Sequence, residues 1–408
     1  MAKEGVQFEN DFTCQPVCGP ARACLQTGKY ASETNNHTNH TMLPINEDTI
    51  AKILRRNEYK VGYIGKWHLA SFGPSDGADD FRIKSVPIER RGGYLDYWLA
   101  SDVLEFTSHS YDGYMFDSNG SKRFFPEGRF RADAQTDWTL EYLETRKLDK
   151  PFFLFLSYIE PHHQNDHRCY EGPIGSKEKF KNFEVPGDLL GTEGDWQQNY
   201  PDYLGCCNAL DNNLGRIRDK LNVLGISENT VIIFCSDHGS HFKTRNPEYK
   251  RSCHDGCVRI PMVIYGPGFK GGKLISEMVS LIDIPPTILS CGNVQKPESM
   301  RGNPLQGLVD GSAISHWQDD IYIQISENHT GRAIRTKKWK YSVRAPDLDG
   351  YAGFSPIYKE DFLYDLENDP HEKNNLVSSA KFANIRKEMK ERLLKRMKSA
   401  NEPPAEII

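Results

Sequence analysis

Four short segments of the sequence carry residues whose types and spacing could act on an anionic substrate. The first, VCGPARACLQTGK, contains Cys18 and Arg22. Pro20 suits the first turn of a helix, where its missing N–H removes no hydrogen bond, so Cys18 is predicted to lie at a helix N-terminus. Arg22 returns to the same side one turn later. Backbone N–H groups, the helix dipole and a guanidinium would then form an anion pocket beside a reactive cysteine. The alternative is a buried cysteine at a helix start with a surface arginine.

The second segment, GYIGKWHLA, places Lys66 and His68 just beyond the carboxyl end of a predicted strand. Ligand sites in α/β sheets lie at that edge. Because the two residues are two positions apart, they face the same way wherever the backbone stays extended. The plainer alternative is a strand end whose polar residues are simply solvated.

The third segment, FFLFLSYIEPHHQNDH, again ends a predicted strand and continues with His162, His163 and His167. Zinc is disfavoured here, because no further ligand motif accompanies these histidines. We expect a single acid–base histidine instead, and His162 is the one nearest to the strand.

The fourth segment begins VIIFCSDHG and places Asp237 and His238 at the end of another apolar strand. A carboxylate and an imidazole together suit a divalent cation. Gly239 permits the tight turn that would expose them, and Lys250 and His254 follow before the next strand. Each residue alone is compatible with an ordinary polar loop, but four such segments in one chain are hard to obtain by chance.

The composition excludes several classes of protein. The chain has 408 residues with 51 Lys+Arg and 56 Asp+Glu, and this acidic excess argues against a general nucleic-acid binder. The longest apolar stretch, residues 152–159, is far too short for a membrane span, so we expect no membrane partner. The first residues lack an apolar leader and the ten cysteines contain no CxxC pair, which predicts a cytoplasmic chain with mostly reduced thiols.

Apolar runs bounded by turn residues must position these groups, and they predict buried strands. The predicted strands are 61–64, 152–159, 231–235 and 262–265. Helical patterns over 47–57 and 203–221 lie between them. Alternation of helices with solid apolar strands indicates an α/β fold with a largely parallel sheet.

The pattern changes after about residue 310. Residues 321–325 and 335–344 are predicted strands of mixed polarity, and 379–399 is a helix with one apolar stripe and a solvated basic face. We therefore predict a catalytic domain over 1–310 and a C-terminal α+β domain over 311–408, with a small antiparallel sheet and a terminal helix.

Taken together, the segments resemble the formylglycine-dependent sulfatases of the alkaline-phosphatase-like superfamily. CGPAR fits the C-x-P-x-R signature of that family and LQTGK resembles its continuation. GKWHL, PH, SDHG, LIDIPPTIL and FLYDLENDPHEKNNL match further blocks in the same order over nearly the whole chain. The resemblance implies an alkaline-phosphatase-like sandwich, in which helices flank a mostly parallel central sheet, plus a smaller C-terminal α+β domain.

The resemblance implies a nucleophile and a metal site. Cys18 would be oxidised by a formylglycine-generating maturation enzyme, and the hydrate of the resulting aldehyde would attack sulfur. Arg22 would steady that hydrate. Asp237 and His238 would be ligands of a calcium ion that polarises the sulfate.

The resemblance also implies roles for the remaining cationic and imidazole side chains. Lys66 and Lys250 would neutralise the sulfate oxygens. His162, together with Lys250, would assist the leaving alcohol, and His68 would deprotonate the second hydroxyl to expel sulfate. His254 is expected to contact the substrate.

One part of the family pattern is expected to be missing. Relatives carry an acidic, metal-binding pair at the end of a first strand that precedes the segment matching MAKEGVQFEN. We therefore expect that strand, two calcium ligands and any signal peptide to be absent from this sequence, so an inactive truncated remnant stays an alternative.

The leading functional prediction is hydrolysis of a sulfate ester, either a sulfated carbohydrate or an aryl sulfate. A phosphonate monoester or phosphodiester hydrolase with the same signature is the close alternative. A phosphatase that uses an unmodified Cys18 thiolate is disfavoured, because its anion loop would need more backbone between Cys18 and Arg22.

Overall fold

A computed structural model of the chain describes residues 1–71, 80–147 and 149–408. The strands, in chain order, are β1 (Val6–Phe12), β2 (Lys60–Lys66), β3 (Tyr97–Ser101), β4 (Tyr114–Asp117), β5 (Lys122–Phe124), β6 (Phe152–Ser157), β7 (Ile232–Cys235), β8 (Arg259–Tyr265), β9 (Lys273–Ser280), β10 (Asp320–Ile325), β11 (Gly331–Thr336), β12 (Trp339–Arg344), β13 (Ile357–Asp365) and β14 (Glu406–Ile407). The α-helices are α1 (Cys18–Thr27), α2 (Ile50–Arg56), α3 (Arg131–Thr145), α4 (Ser176–Lys179), α5 (Trp196–Val223), α6 (Asp255–Val258), α7 (Ile284–Cys291), α8 (Gln306–Val309) and α9 (Ala383–Ser399).

The chain divides into two compact units. Unit 1 contains residues 1–43, 186–194 and 231–408, and unit 2 contains residues 44–185 and 195–230. The prediction of an α/β fold is confirmed. The described strands form three sheets, and each of these sheets combines parallel with antiparallel pairs rather than being largely parallel. Among the described residues, no helix combines the length and the apolar character that a membrane crossing requires.

The first sheet of unit 1 brings three functional segments to one edge. Its strand order is β7–β8–β1–β9. β8 pairs antiparallel with both β7 and β1, so β7 and β1 run in the same direction and their carboxyl ends share an edge. β8 starts at that same edge. The segments that follow β1 and β7, and the segment that precedes β8, therefore meet there.

The second sheet of unit 1 has the order β10–β11–β12–β13–β14 and is antiparallel except for the pair of β13 and β14. Helix α9 buries Met389, Leu393 and Met397 in a core with Tyr341 and other residues of this sheet. The single strand predicted over 335–344 is wrong, because the chain turns back after Thr336 and pairs β11 with β12. The domain boundary at residue 310 stays a prediction.

Unit 2 contains a sheet of order β5–β4–β3–β2–β6, in which β2 pairs parallel with both β3 and β6. The carboxyl ends of β2 and β6 consequently lie at one edge. Helix α3 covers this sheet through Ala134 and Trp138, which pack in one buried cluster with Ile64 and Leu99. Helix α5 is tied to α3 by Asn213, whose amide donates to Asp133 Oδ1 at 2.9 Å.

Two strands lie differently from the prediction, and seven strands were not predicted: β1, β3, β4, β5, β9, β13 and β14. β6 and β7 are edge strands with largely half-buried side chains, so their prediction as fully buried strands is wrong. A continuous apolar run forms either kind of strand and does not distinguish them. β1 escaped prediction because only three of the seven residues in its sequence, VQFENDF, are apolar, so it forms no continuous apolar run. Val6, Phe8 and Phe12 are nevertheless buried.

Candidate active site

Helix α1 presents Cys18 at its N-terminus, as predicted from Pro20. Val17 precedes the helix in an extended conformation and provides no side-chain cap. The helix ends at Gly28, whose φ of 67° is left-handed and therefore easily adopted by glycine. Cys18 itself is only 2% exposed. A helix N-terminus directs unpaired N–H groups and a partial positive charge toward this position.

Two nitrogen atoms contact the sulfur of Cys18. Lys250 Nζ lies 2.8 Å from Sγ, and His238 Nε2 lies 3.2 Å from it. His238 Nδ1 is 2.8 Å from the carbonyl oxygen of Gly239. Because a carbonyl oxygen can only accept, Nδ1 carries a proton, which directs Nε2 toward the sulfur. The sulfur of Cys18 is thus contacted by an ammonium group and by an imidazole nitrogen.

Lys250 is a buried cation held by this cluster. Its side chain is almost fully enclosed. Burial alone would lower the pKa of Lys250, but the charge of the Cys18 sulfur and its hydrogen bond outweigh burial and raise that pKa. Lys250 therefore remains an ammonium ion at neutral pH, positioned to neutralise an anion at residue 18.

Arg22 and Asp237 form the other side of the cluster. Arg22 Nη2 lies 3.2 Å from Asp237 Oδ2, and the backbone N–H of His238 donates to Asp237 Oδ1 at 3.0 Å. Burial would raise the pKa of Asp237, but the charges of His238 and Arg22 outweigh burial and lower it. Asp237 is consequently ionised and available as a metal ligand.

The donor atoms of Cys18, Asp237 and His238 all lie within 4.8 Å of one another. One carboxylate, one imidazole and one sulfur in this arrangement fit a divalent cation. Calcium takes six to eight oxygen ligands, whereas Asp237 is the only oxygen donor among these three residues. Replacement of the sulfur by an aldehyde hydrate would add oxygen at residue 18 and bring the set closer to that preference.

Residues that sequence reasoning missed hold the helix N-terminus in place. The backbone N–H of Gly19 donates to Asn39 Oδ1 at 2.8 Å, and Asn39 Nδ2 donates to Glu327 Oε2 at 3.2 Å. Arg251 Nη2 lies 2.6 Å from the same oxygen. This chain connects α1 to the residue that follows Lys250. Asn39 lies in the run NNHTNHT, but Glu327 gave no signal in the sequence.

His254 is buried and has partners of its own. Its Nδ1 is 3.1 Å from Ser252 Oγ, and its Nε2 is 3.1 Å from the hydroxyl of Tyr364. Burial lowers the pKa of His254 well below its ordinary value. Both nitrogens have partners within unit 1, so this geometry describes a neutral packing histidine. Its contact with substrate stays a prediction.

In unit 2, Lys66 ends β2 as predicted and forms a buried ion pair. Its Nζ lies 2.9 Å from Glu105 Oε2, and the two side chains are 1% and 7% exposed. Glu105 lies in a short 3-10 helix, Leu104–Phe106. Sequence reasoning missed Glu105, because an isolated glutamate beside a turn has no recognisable pattern.

The segment after Lys66 is not extended, which changes the orientation expected for His68. His68 has a left-handed φ of 58°, so the argument that it faces the same way as Lys66 is wrong. The turn is fixed by Asp102, whose Oδ1 accepts the backbone N–H groups of Leu69 and Ala70 at 2.9 and 3.0 Å. Asp102 is fully buried and was also missed.

His162 follows β6, and its backbone N–H donates to the carbonyl of Ile159 at 2.9 Å. Its Nδ1 lies 2.6 Å from the carbonyl oxygen of His163, so Nδ1 carries the proton and Nε2 is the basic nitrogen of the neutral ring. The structure therefore brings five predicted residues together in unit 1. It places three more at the edge of the unit 2 sheet where β2 and β6 end: Lys66, His68 and His162. The ninth, His254, lies in unit 1 outside that cluster.

Comparison with known proteins identifies the class. A sequence model of the family described as Sulfatase matches residues 1–294, and a model described as N-sulphoglucosamine sulphohydrolase, C-terminal, matches residues 248–399. The chain belongs to the sulfatase family. It is accordingly a sulfuric ester hydrolase with the alkaline-phosphatase-like fold.

A curated relative agrees with this class, and two solved structures agree with the fold. An ulvan-active sulfatase of Formosa agariphila is 29% identical over 416 residues, covering 97% of this chain and 75% of that protein. A structure solved in complex with its substrate D-glucosamine-2-N,6-O-disulfate has a TM-score of 0.76 at 22% identity, covering 98% of this chain and 92% of the other. A phosphonate monoester hydrolase from Silicibacter pomeroyi has a TM-score of 0.70 at 19% identity, covering 98% and 89%.

Proposed function

We propose that this chain hydrolyses the sulfate ester of a sulfated carbohydrate, with Cys18 converted to formylglycine by a maturation enzyme. The observation that supports this most is the pair of contacts from Lys250 and His238 to the buried Sγ of Cys18 at a helix N-terminus. The relatives support the choice of a carbohydrate, since one is named for ulvan and another was solved with a sulfated glucosamine.

The side chains of unit 1 would bind and stabilise the reacting anion. A formylglycine hydrate at residue 18 supplies an oxygen nucleophile for sulfur. Lys250 would hold negative charge beside this position, and Arg22 would hold Asp237 in place through the contact at 3.2 Å. Fixed charges of this kind need no reorganisation during the reaction, which is why they lower the barrier effectively.

Asp237 and His238 would hold the divalent cation together with residue 18. When bound, the cation would act as a Lewis acid that polarises the sulfate oxygens. Calcium is proposed from the family resemblance, and the imidazole in the donor set makes Mn²⁺ and Zn²⁺ the ions to compare with it. Loss of Asp237 removes the carboxylate of the set, so Asp237→Ala should abolish binding of whichever ion is correct.

The residues of unit 2 would contribute charge and proton transfer. Lys66 would neutralise a sulfate oxygen, with Glu105 as the partner that keeps its ammonium group in position. His162 would take up a proton at Nε2 and, as an imidazolium, donate that proton to the oxygen of the leaving alcohol. His68 would act as a base that releases sulfate, and Asp102 fixes the turn in which His68 lies.

The experiment is a sulfate-release assay on the full chain, coexpressed with a formylglycine-generating enzyme. The panel pairs sulfated monosaccharides with an aryl sulfate, each matched to its desulfated product. Cys18→Ala should abolish release, whereas Cys291→Ala, at an exposed thiol, should not change it. Turnover that survives in Cys18→Ala would refute the nucleophile, and no release from any sulfate ester would refute the function.

A phosphonate monoester hydrolase is a second candidate, supported by the structural similarity to the enzyme from Silicibacter pomeroyi. The same preparation distinguishes the two if an aryl phosphonate monoester is compared with the matched aryl sulfate. The proposal expects the larger kcat/KM for the sulfate. A larger kcat/KM for the phosphonate would replace sulfatase activity as the main function.

A further inference from the structure

A second group of metal-binding side chains lies in unit 2 and involves none of the residues assigned above. The donor atoms of His109, Asp166 and His167 all lie within 4.8 Å of one another. His109 Nε2 is 2.9 Å from Asp166 Oδ2, and His167 Nε2 is 3.9 Å from the same oxygen. The two imidazole rings are stacked, with centroids 4.4 Å apart and planes 7° apart. Both rings thus direct the same nitrogen toward one carboxylate oxygen.

A carboxylate holds the far side of each ring. His109 Nδ1 lies 3.0 Å from Asp112 Oδ1, and His167 Nδ1 is hydrogen-bonded to Glu171. Glu171 is itself fixed by the hydroxyl of Ser110, which donates to its Oε2 at 3.0 Å. A carboxylate on Nδ1 sets the tautomer, orients the ring and makes Nε2 a better ligand, an arrangement that is typical of histidines bound to zinc.

Asp166 is also held in position by a hydrogen bond. Gln164 Nε2 donates to Asp166 Oδ1 at 2.7 Å, which leaves Oδ2 facing the two rings. Gln164 is 3% exposed, and its backbone N–H donates to the carbonyl of Cys169 at 2.8 Å, closing the loop that carries Asp166 and His167. All three donor groups are therefore oriented by neighbours before any ion binds.

The spacing of the donors suits a small tetrahedral ion. Ligand atoms about 2.0–2.1 Å from a zinc ion lie roughly 3.3 Å from one another in a tetrahedron. The observed separations of 2.9 and 3.9 Å lie on either side of that value. The carboxylates of Asp112, Asp166 and Glu171 surround the two imidazoles. With both imidazoles neutral, the cluster has a net negative charge that a divalent cation would offset.

We propose that His109 Nε2, Asp166 Oδ2 and His167 Nε2 bind a Zn²⁺ ion, with water at the fourth position. The ion would connect the segment containing His109 to the loop over residues 164–171. Gln164 also donates to the backbone carbonyl of Glu105 at 3.3 Å, so this site supports the residue that pairs with Lys66. Zinc was disfavoured at the third segment from its sequence, because that segment alone lacks the ligand that His109 supplies.

The competing state is a metal-free ion pair. Partial burial would lower the pKa of His109, but its hydrogen bonds to Asp166 and Asp112 outweigh burial and raise that pKa. A proton and a zinc ion exclude each other from Nε2. The experiment must therefore show a bound ion and identify its ligands.

The test is zinc titration of the chelator-treated full chain against a chromophoric competitor. Cys18→Ala is the parent protein, so that the thiol near Asp237 and His238 does not compete. The expected result is one tight equivalent of zinc. Asp112→Asn should weaken binding by about 10–100-fold, His109→Ala and His167→Ala should weaken it further, and His316→Ala, at an exposed histidine, should leave it unchanged.

X-ray absorption at the zinc edge then identifies the ligands. The proposal expects two imidazoles with oxygen donors and no sulfur. A sulfur shell would place the ion on a cysteine and overturn the proposal. Equal affinities of His109→Ala, Asp112→Asn and His316→Ala would overturn it as well, and Asp112→Asn keeps that comparison possible if a histidine variant fails to fold.

Discussion

The two units position their candidate catalytic groups in different ways. In unit 1, the side chains of Cys18, His238 and Lys250 contact one another directly. In unit 2, the ammonium group of Lys66 is paired with Glu105, and the backbone N–H of His68 donates to the carbonyl of Asp102. In unit 1, the candidate catalytic groups thus hold one another in position. In unit 2, they are held in position by residues that have no proposed part in the chemistry. Substitutions should affect chemistry first in unit 1 and stability first in unit 2.

Lys250→Ala should have the largest effect on catalysis. It removes the buried cation that contacts residue 18, and loss of one such charge-stabilising group lowers kcat by about 10²–10³-fold. Steady-state kinetics on the sulfate ester that the wild type cleaves best measures this. Lys338→Ala, at a half-exposed lysine paired with Glu367, is the matched control. Equal loss of kcat in both variants would contradict the central position of Lys250.

Glu105→Gln should reveal the reliance of unit 2 on its supporting residues. It removes the negative charge that pairs with the buried ammonium group of Lys66, which costs about 3 kcal/mol of unfolding free energy. Urea denaturation measures the change, and Glu127→Gln, at an exposed glutamate, is the control. The double variant Lys66→Met/Glu105→Gln should recover part of the loss. Unchanged stability of Glu105→Gln would remove the distinction drawn between the units.

Asn39→Ala should weaken the N-terminus of α1. It removes the oxygen that accepts the N–H of Gly19, and loss of such a cap costs up to about 2 kcal/mol. Thermal unfolding and kcat should fall together, because the same helix end holds residue 18. Asn374→Ala, on the exposed surface of the same unit, should change neither. A fall in stability with full retention of kcat would separate the cap from the site.

Asp11→Asn should increase the unfolding free energy of the chain, by less than the preceding two variants lower it. Within the described residues, neither carboxylate oxygen of fully buried Asp11 has a hydrogen-bond partner. Burial first, and then the charge of Asp283, raise the pKa of Asp11 well above its ordinary value. Folding therefore favours the protonated form of Asp11. The contribution of Asp11 to stability is complete below the ordinary carboxyl pKa and is lost as pH rises through the raised pKa.

Asp11→Asn should consequently stabilise the chain at pH 7 by about 1 kcal/mol and flatten the fall of stability with rising pH. Unfolding free energies measured from acid to neutral pH, with Asp347→Asn as an exposed control, test this. Asp237 should show the reverse trend, because its pKa is lowered and its contribution is lost as pH falls. A destabilised Asp11→Asn at pH 7 would show that the carboxylate has a charged partner.

The sequence predicted the elements that patterns encode. Pro20 indicated the helix start at Cys18, and apolar runs indicated the strands that end near Lys66 and Asp237. It did not predict supporting residues such as Glu105, Asn39 and Asp102, because a single polar residue in a turn has no period. Nor did it predict β1, in which only three of seven residues are apolar although Val6 and Phe8 are buried. The cytoplasmic location expected from composition stays a prediction.

The central claim is that residue 18 acts as a formylglycine in sulfate ester hydrolysis. The most direct measurement is mass spectrometry of the peptide containing residue 18, made on the preparation used to measure sulfate release. The account predicts that the thiol sulfur is replaced by an aldehyde oxygen and that sulfate release rises in proportion to the converted fraction. Full sulfate release from a chain in which Cys18 remains an unmodified thiol would contradict it.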